Sequence, residues 1–443
     1  MLGVLSWASC AECMGWICFS ACDPRDVKEY FGSAVPNDAM IDLLLNLGAI
    51  VGVVVGPVQM RIGRLRRLVV GGAFLVMAGA VLRCAAGACR HGPPKLVGAM
   101  LIVAQSLNAA AGPALMATSS KLACAWFPER ERFLATSVAL TANNLGVVLL
   151  YPVAPALARR GVGVYLGLLA LVAAPPCFAS PWFRDAPLFP PSAAAVAQRR
   201  RLSSSWGSYA AALASSGLVT GAASAWQGAL QVTLREPAGT VGWIGFANAA
   251  AGVAGSIGVA CVLRQTAKDA ARFKPPLVWL LLGTAACATA WSVVTLPRTG
   301  LYALSAALGL AQGGTDPIFY ELGAELVPAT ETTTAGLLVL VDNITEIVLL
   351  ALPPTLLARA ISPAFAAIAA CSAILVHALV VEAHCRPADT DRDALLSPPG
   401  LLLRVDDDDH DYDKDRRDAP PSYRIDDDGG SRISPSSSQP SRV

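Results

Sequence analysis

The sequence predicts an all-α membrane protein with twelve transmembrane helices in two six-helix halves. Three observations predict it. The composition is apolar: 54% of the 443 residues are hydrophobic, 15% are charged, and mean hydropathy is +0.51. Soluble globular chains are roughly 45–50% apolar and about 25% charged, so the shift marks an integral membrane protein. Apolar runs of about 20 residues, enough to cross a bilayer, recur as far as residue 382. The longest polar break within that region, 184–206, divides those runs six and six.

The expected spans are 2–22, 38–60, 68–88, 96–118, 133–157, 162–180, 208–232, 241–263, 277–296, 299–322, 333–357 and 361–382. The first starts almost at Met1 and runs on to a Trp and an acidic loop. It lacks a basic leader and a small-residue cleavage site, so it is expected to stay as a span with no tail before it. The halves are 1–182 and 208–384, joined by a linker at 183–207, and residues 385–443 form a tail. The tail carries DDDDHDYDKDRRD and SRISPSSSQPSRV, low-complexity stretches expected to be disordered.

Net charge, +2, names no partner, but its placement sets orientation. With the N-terminus inside, fifteen Lys and Arg fall on the inner loops and ten on the opposite side, and the tail adds nine inside. Both termini are therefore expected to be cytoplasmic. The twelve cysteines are scattered. Cys10 and Cys13 form a CxxC within a span; without a second ligand pair they read as packing residues, and no metal or cofactor is expected. Cys84 and Cys89 flank an outer loop and are candidates to pair. The sequon Asn343-Ile-Thr345 lies inside the eleventh span, beyond the reach of glycosylation.

Acids inside the apolar runs carry the functional question, because a charge at mid-bilayer costs about 2.5–3.5 kcal/mol even on lenient scales. In LLVLVDNITEIVLL (337–350), Asp342 and Glu346 are four residues apart on one helix face. Two carboxyl groups that close are expected to share a proton, as a proton-coupling element or as counter-charges for a cationic substrate. The alternative is pairing with a base such as Lys121, or a hydrogen bond to a broken helix. Glu12 and Trp16 share a face of the first span. Glu12 is a candidate proton or cation site, or else a structural hydrogen-bond partner of another span. The Trp16 ring attracts cations by about 0.5–2 kcal/mol and stacks on flat rings; otherwise it is an interfacial anchor. Asp316, before Pro317, is a further proton-site candidate. Glu321 and Glu325 lie toward the cytoplasmic end, placed to pair as a gate with loop arginines such as Arg61 and Arg64.

Other classes find less support. There is no nucleophile–base pair, no metal-spaced His cluster among four His, and no phosphate loop, so an enzyme is not expected. No nucleic-acid partner is expected. A non-transporting receptor or scaffold remains the rival reading, and the intramembrane acids speak against it.

The stretch GPVQMRIGRLRR (56–67) is similar to the loop motif G-x-x-x-D-R-x-G-R-R/K of the major facilitator superfamily. Gly56, Arg61, Gly63, Arg64 and Arg66 fit, and Met60 stands where the Asp belongs. Two six-span halves joined by a basic linker match that architecture. Three further stretches resemble the solute carrier 49 group, which includes the feline leukaemia virus subgroup C receptor-related transporters. They are AGPALMATSSKLACAWFPERERFLATSVALTANNLG (111–146), GWIGF (242–246) and PIFYELGAELVPATETTTAGLL (317–338). FPPSAAAVAQRRRLS (189–203) is similar to the linker of the disrupted-in-renal-carcinoma branch of that group. The resemblance spans roughly residues 1–382.

The resemblance implies an organic-solute transporter working by alternating access. The group handles choline and related amines, haem has been proposed, and the nearest branch is associated with proton-coupled lysosomal export of pyridoxine. It implies that Trp16-Ile17-Cys18-Phe19 matches a cage motif W-I-x-[YF], and that Asn343 falls where a substrate-contacting Gln stands, seven residues past Gly336. It also implies that Glu321 and Glu325 match P-I-x-[FY]-E-x-x-x-E. Two positions depart from the choline transporters: Gly112 replaces a Gln, and Ser224 aligns with a Tyr, with Trp226 nearby as a substitute. A pyridoxine-like vitamin or organic amine is therefore expected as substrate, with protons as the coupling partner; the alternative is a choline- or haem-type facilitator. DRDALL (391–396) fits the acidic dileucine pattern through Asp391, Leu395 and Leu396. It implies a sorting adaptor and a lysosomal or endosomal membrane, with the plasma membrane as alternative.

Overall fold

Each predicted span is helical in the computed structural model, which describes residues 1–187, 206–234, 237–266, 273–294, 296–326 and 331–381. The linker stretch 188–205, the tail, and Asp391, Leu395 and Leu396 lie outside the described residues. The first half holds α1 (Leu2–Trp16), α2 (Pro24–Phe31), α3 (Asp38–Ile62), α4 (Leu65–Ala88), α5 (Pro94–Ala117), α6 (Ser119–Trp126), α7 (Glu129–Arg160) and α8 (Val162–Ala179). The second holds α9 (Trp206–Gly228), α10 (Leu230–Leu234), α11 (Ala238–Thr266), α12 (Lys274–Val293), α13 (Arg298–Gly313), α14 (Thr315–Leu326), α15 (Glu331–Leu350) and α16 (Pro354–Leu379). Among the described residues there is no strand.

Local chemistry sets the helix ends. The Asn37 side chain accepts from the Met40 amide at 3.2 Å and starts α3. Gly63, at φ 60°, ends α3 in the left-handed conformation and turns the chain into α4. The Asp185 carboxylate accepts from the Arg66 amide at 2.7 Å, covering a free donor in the first turn of α4. The Lys121 ammonium donates to the Gly63 carbonyl, tying α6 to that turn.

Nine helices among the described residues are long and apolar enough to cross a membrane: α3, α4, α5, α7, α8, α11, α12, α15 and α16. The first, seventh and tenth predicted spans are not among them, and these three are interrupted, as is the fourth. The first stops at Trp16, short of the expected 2–22, and residues 17–22 form turns. The fourth breaks at Thr118, between α5 and α6; the seventh at Ala229, between α9 and α10; the tenth at Gly314, between α13 and α14. Pro317 lies in the first turn of α14, where its missing N–H costs nothing.

Packing follows small residues. Gly313 sits so close to Gly252 that any added Cβ would collide with its backbone, and α11 and α13 cross there. The largest apolar core fills the second half around Trp226, Phe319 and Phe365. Two others fill the first half, around Phe31 and Tyr165 and around Leu5 and Leu115. A fourth, smaller cluster bridges the halves: Ala117, Leu140, Tyr320, Ala335, Leu338 and Val339.

Candidate functional site

A cavity lies between the halves, with about 1250 Å³ of empty space including its opening. It is lined from the first half by α1, α3, α5 and α7, and from the second by α9, α11, α13, α14 and α15. The interrupted spans all contribute. Seven of the predicted residues meet here: Glu12, Trp16, Ser224, Asp316, Asp342, Asn343 and Glu346. Among the described residues none of the lining side chains is Lys, Arg or His. The wall thus carries four carboxyl groups and no base.

Glu12 is 7% exposed and is held by amides. Asn143 of α7 donates to Oε2 at 3.0 Å. Asn108 of α5 donates to the Glu12 carbonyl at 2.9 Å and reaches Oε1 at 3.4 Å. The carboxyl group fits because position 112 is glycine: a Cβ there would lie 3.2 Å from Oε1. Trp16, the last residue of α1, donates from its indole to the Leu45 carbonyl at 3.1 Å and lies over Gly48 of α3. It lines the cavity from deep in the bundle, not as an interfacial anchor. Phe19 of the same motif packs edge-on against Phe31, ring centroids 6.1 Å apart, in the core.

The second half holds its acids differently. Asp316 Oδ1 accepts from Thr220 at 3.1 Å and from Gln312 at 3.5 Å. Asp342 Oδ1 is buried and has no hydrogen-bond partner. Glu346 is 5% exposed and accepts no hydrogen bond among the described residues. Lys121, the base considered for them, instead serves the Gly63 carbonyl. Asn343 faces α3, its amide nitrogen 2.6 Å from where a Cβ on Gly52 would stand.

Trp226 is corrected. It is 2% exposed, donates to Ser362 Oγ at 3.2 Å and stacks edge-on against Trp291, so it is core and not cavity wall. The residues expected to form a gate do not line the cavity. Glu321, 2% exposed, accepts from Thr136 Oγ1 of the first half at 2.6 Å, a bond across the halves. Glu325 is half-buried one turn on, and Arg61 and Arg64 are exposed at the α3–α4 turn. Leu140, Tyr320 and Leu338 of the bridging apolar cluster also line the cavity. Cys84 and Cys89 are both free thiols, as are Cys10 and Cys13. No group of three or more His, Cys, Asp or Glu among the described residues is arranged to hold a metal.

Sequence reading missed the polar backing of the site: Arg83, Gln105, Asn108 and Asn143. Arg83 was counted among the outer-loop charges, but it lies in α4 and is 1% exposed. The signal present was Gln105 and Asn108, two amides three residues apart in an apolar run.

Known proteins place this arrangement in a family. The model of the Major Facilitator Superfamily matches residues 6–348. Solute carrier family 49 member A3 of Xenopus tropicalis is 29% identical over 207 residues, 44% of this chain and 42% of that protein. Solute carrier family 49 member 4 homolog of the same organism is 28% identical over 312 residues, 61% of this chain and 66% of that protein. The matches thus span less than two thirds of each relative's length. Two solved structures share the fold. The outward conformation of FucP, a Major Facilitator Superfamily transporter, has TM-score 0.59 at 14% identity, covering 85% of this chain and 97% of FucP. The human organic anion transporter MFSD10 (TETRAN) has TM-score 0.58 at 12% identity, covering 85% of this chain and 98% of its own. With the family model matching residues 6–348, most of its length, the chain belongs to the Major Facilitator Superfamily, a family of multi-pass membrane proteins, and is similar to solute carrier family 49 members.

Proposed function

We propose that this transporter carries a small organic amine or a pyridoxine-like vitamin, coupled to protons by alternating access between its halves. One observation carries the reading: four carboxyl groups, Glu12, Asp316, Asp342 and Glu346, converge on a cavity whose described lining holds no base. An acidic cavity with no base on its wall favours cations, whether a protonated solute or protons themselves. The Trp16 ring supplies a flat, electron-rich face on the same wall, suited to an ammonium or a pyridine ring. The rival scaffold reading gives the unpartnered acids no task, since each raises the cost of folding in a membrane. The resemblance to the disrupted-in-renal-carcinoma branch supports the vitamin and a lysosomal or endosomal membrane. The bias of Lys and Arg supports both termini in the cytoplasm, and the pattern DRDALL supports sorting by an adaptor at Asp391, Leu395 and Leu396.

The test uses cells expressing the chain with Leu395 and Leu396 changed to Ala, so that it reaches the surface. Uptake of labelled pyridoxine and labelled choline is compared at external pH 5 and 7.5, with Glu12→Gln and Asp342→Asn alongside. Pyridoxine uptake whose stimulation by acid is removed by either substitution is the expected result. Choline uptake indifferent to pH makes the acids counter-charges of a facilitator. No uptake of either, with protein at the surface, rejects both substrates.

A further inference from the structure

The first half contains a buried cation that the cavity does not use. Arg83 of α4 is 1% exposed, and Nη2 donates to Gln105 Oε1 at 3.0 Å. Gln105 in turn donates to the Trp16 carbonyl at 2.9 Å, the last carbonyl of α1. Asn108, one turn on, holds the Glu12 carbonyl and side chain. Arg83 Nε and Asn108 Oδ1 are both buried without a partner. The guanidinium and the Asn108 amide both press on Gly15: a Cβ there would lie 3.1 Å from Arg83 Nη1 and 2.8 Å from Asn108 Cγ. Arg83 therefore sits behind the broken end of α1, across the helix from the cavity. Glu12 is the carboxyl group within its electrostatic reach. The other titratable groups in reach are the thiols of Cys18 and Cys84 and the Tyr165 hydroxyl. Glu12 also faces the Cys13 thiol on its own helix and the amides of Asn108 and Asn143 from α5 and α7.

We propose that Arg83 is the counter-ion and positioning residue of Glu12: through Gln105 it fixes the end of α1, and its charge balances the acid inside the first half. A lone buried guanidinium is costly, and so is a lone carboxylate; the two offset each other across α1. The positive end of that pair is also well placed against the partial negative charge of the α1 C-terminus. With Glu12 balanced, the charge facing a solute comes from the second half, where Asp342 and Glu346 lack partners. This assignment deepens the transport reading and names where the cationic centre of a solute sits: against α14 and α15, with Trp16 covering its flat side.

The test needs no substrate. The full chain is purified in detergent as wild type, Arg83→Gln, Arg83→Lys, Glu12→Gln and the double variant Arg83→Gln/Glu12→Gln, and Tm is recorded from pH 5 to pH 8. Arg83→Gln is expected to lower Tm by roughly 5 °C or more. Its loss should vary with pH, and adding Glu12→Gln should recover part of the Tm and flatten that variation. Arg83→Lys should keep most of the Tm. If Arg83→Gln yields no folded protein, recovered yield in the double variant carries the same meaning. Additive losses that ignore pH, or no recovery in the double variant, would overturn the pairing and leave Arg83 a packing residue. Failure of the transport reading shows separately, as absent uptake in the cell assay.

Discussion

Glu12 in the first half is met by Asn108 and Asn143, with Arg83 behind them; Asp342 and Glu346 in the second half have no donor among the described residues. The same kind of group, in the same cavity, is satisfied at Glu12 and Asp316 and left open at Asp342 and Glu346. A buried carboxyl group with its hydrogen bonds made is a part of the structure. One without them is high in free energy until something arrives, whether a proton or a cation. On the proposed transport reading, the difference separates acids that shape the cavity from acids that would meet the cargo.

The largest effect that would break this contrast comes from removing the open acids. Asp342→Asn with Glu346→Gln should reduce uptake of a cationic probe at limiting concentration by about a hundredfold, since each 1.4 kcal/mol lost is roughly tenfold. Glu12→Gln should leave the KM of that probe nearly unchanged while altering its pH profile. An equal rise in KM from Glu12→Gln would place both halves in contact with the cation and end the distinction.

A middle-sized effect comes from Gly112. The resemblance to the choline transporters implies a Gln where this chain has Gly112. Here a Cβ at position 112 would lie 3.2 Å from Glu12 Oε1, so the Glu12 carboxyl group occupies the space beside this glycine. Gly112→Gln should cost about 1–3 kcal/mol through overpacking, read as a lower Tm. Adding Glu12→Ala should return most of it; if it does not, the two positions are independent.

The smallest effect sharpens the comparison from outside the spans. Asp26 of α2 has a buried Oδ2 without a partner. Burial, with Asp23 nearby adding to it, holds its carboxyl above the ordinary value. A group raised in the folded state adds stability at low pH and loses it as pH climbs through the folded value. Asp26→Asn should therefore raise Tm slightly at pH 7 and leave it unchanged below the ordinary carboxylate range. A gain equal at both pH values would show that burial of this acid has no consequence for stability.

The spans were legible in the sequence because lipid demands unbroken apolar length, and that demand is local. The interruptions at Ile17, Thr118, Ala229 and Gly314 were not. A hydropathy run reports that backbone lies in the membrane, and says nothing of where its ladder of hydrogen bonds stops. The acids of the cavity were legible for the opposite reason: charge in an apolar run is conspicuous wherever it points. Phase was harder. Ser224 and Trp226 are two residues apart, about 200° around a helix, so one lining the cavity sends the other into the core. A single sequence leaves that rotation open. Arg83 was hidden because a charge near the end of a span reads as loop until its burial is known.

The small cluster that joins Ala117, Leu140, Tyr320, Ala335, Leu338 and Val339 has an electrical meaning. A cavity lined with acids conducts protons readily wherever water reaches it from both ends. In a proton-coupled carrier, such a path would short-circuit the gradient that drives the cargo. Under the proposed proton coupling the cluster would act as insulation: six largely apolar side chains from both halves would interrupt the continuous water wire that leakage needs. A polar replacement at Leu140 or Leu338 would therefore be felt first as current without transport.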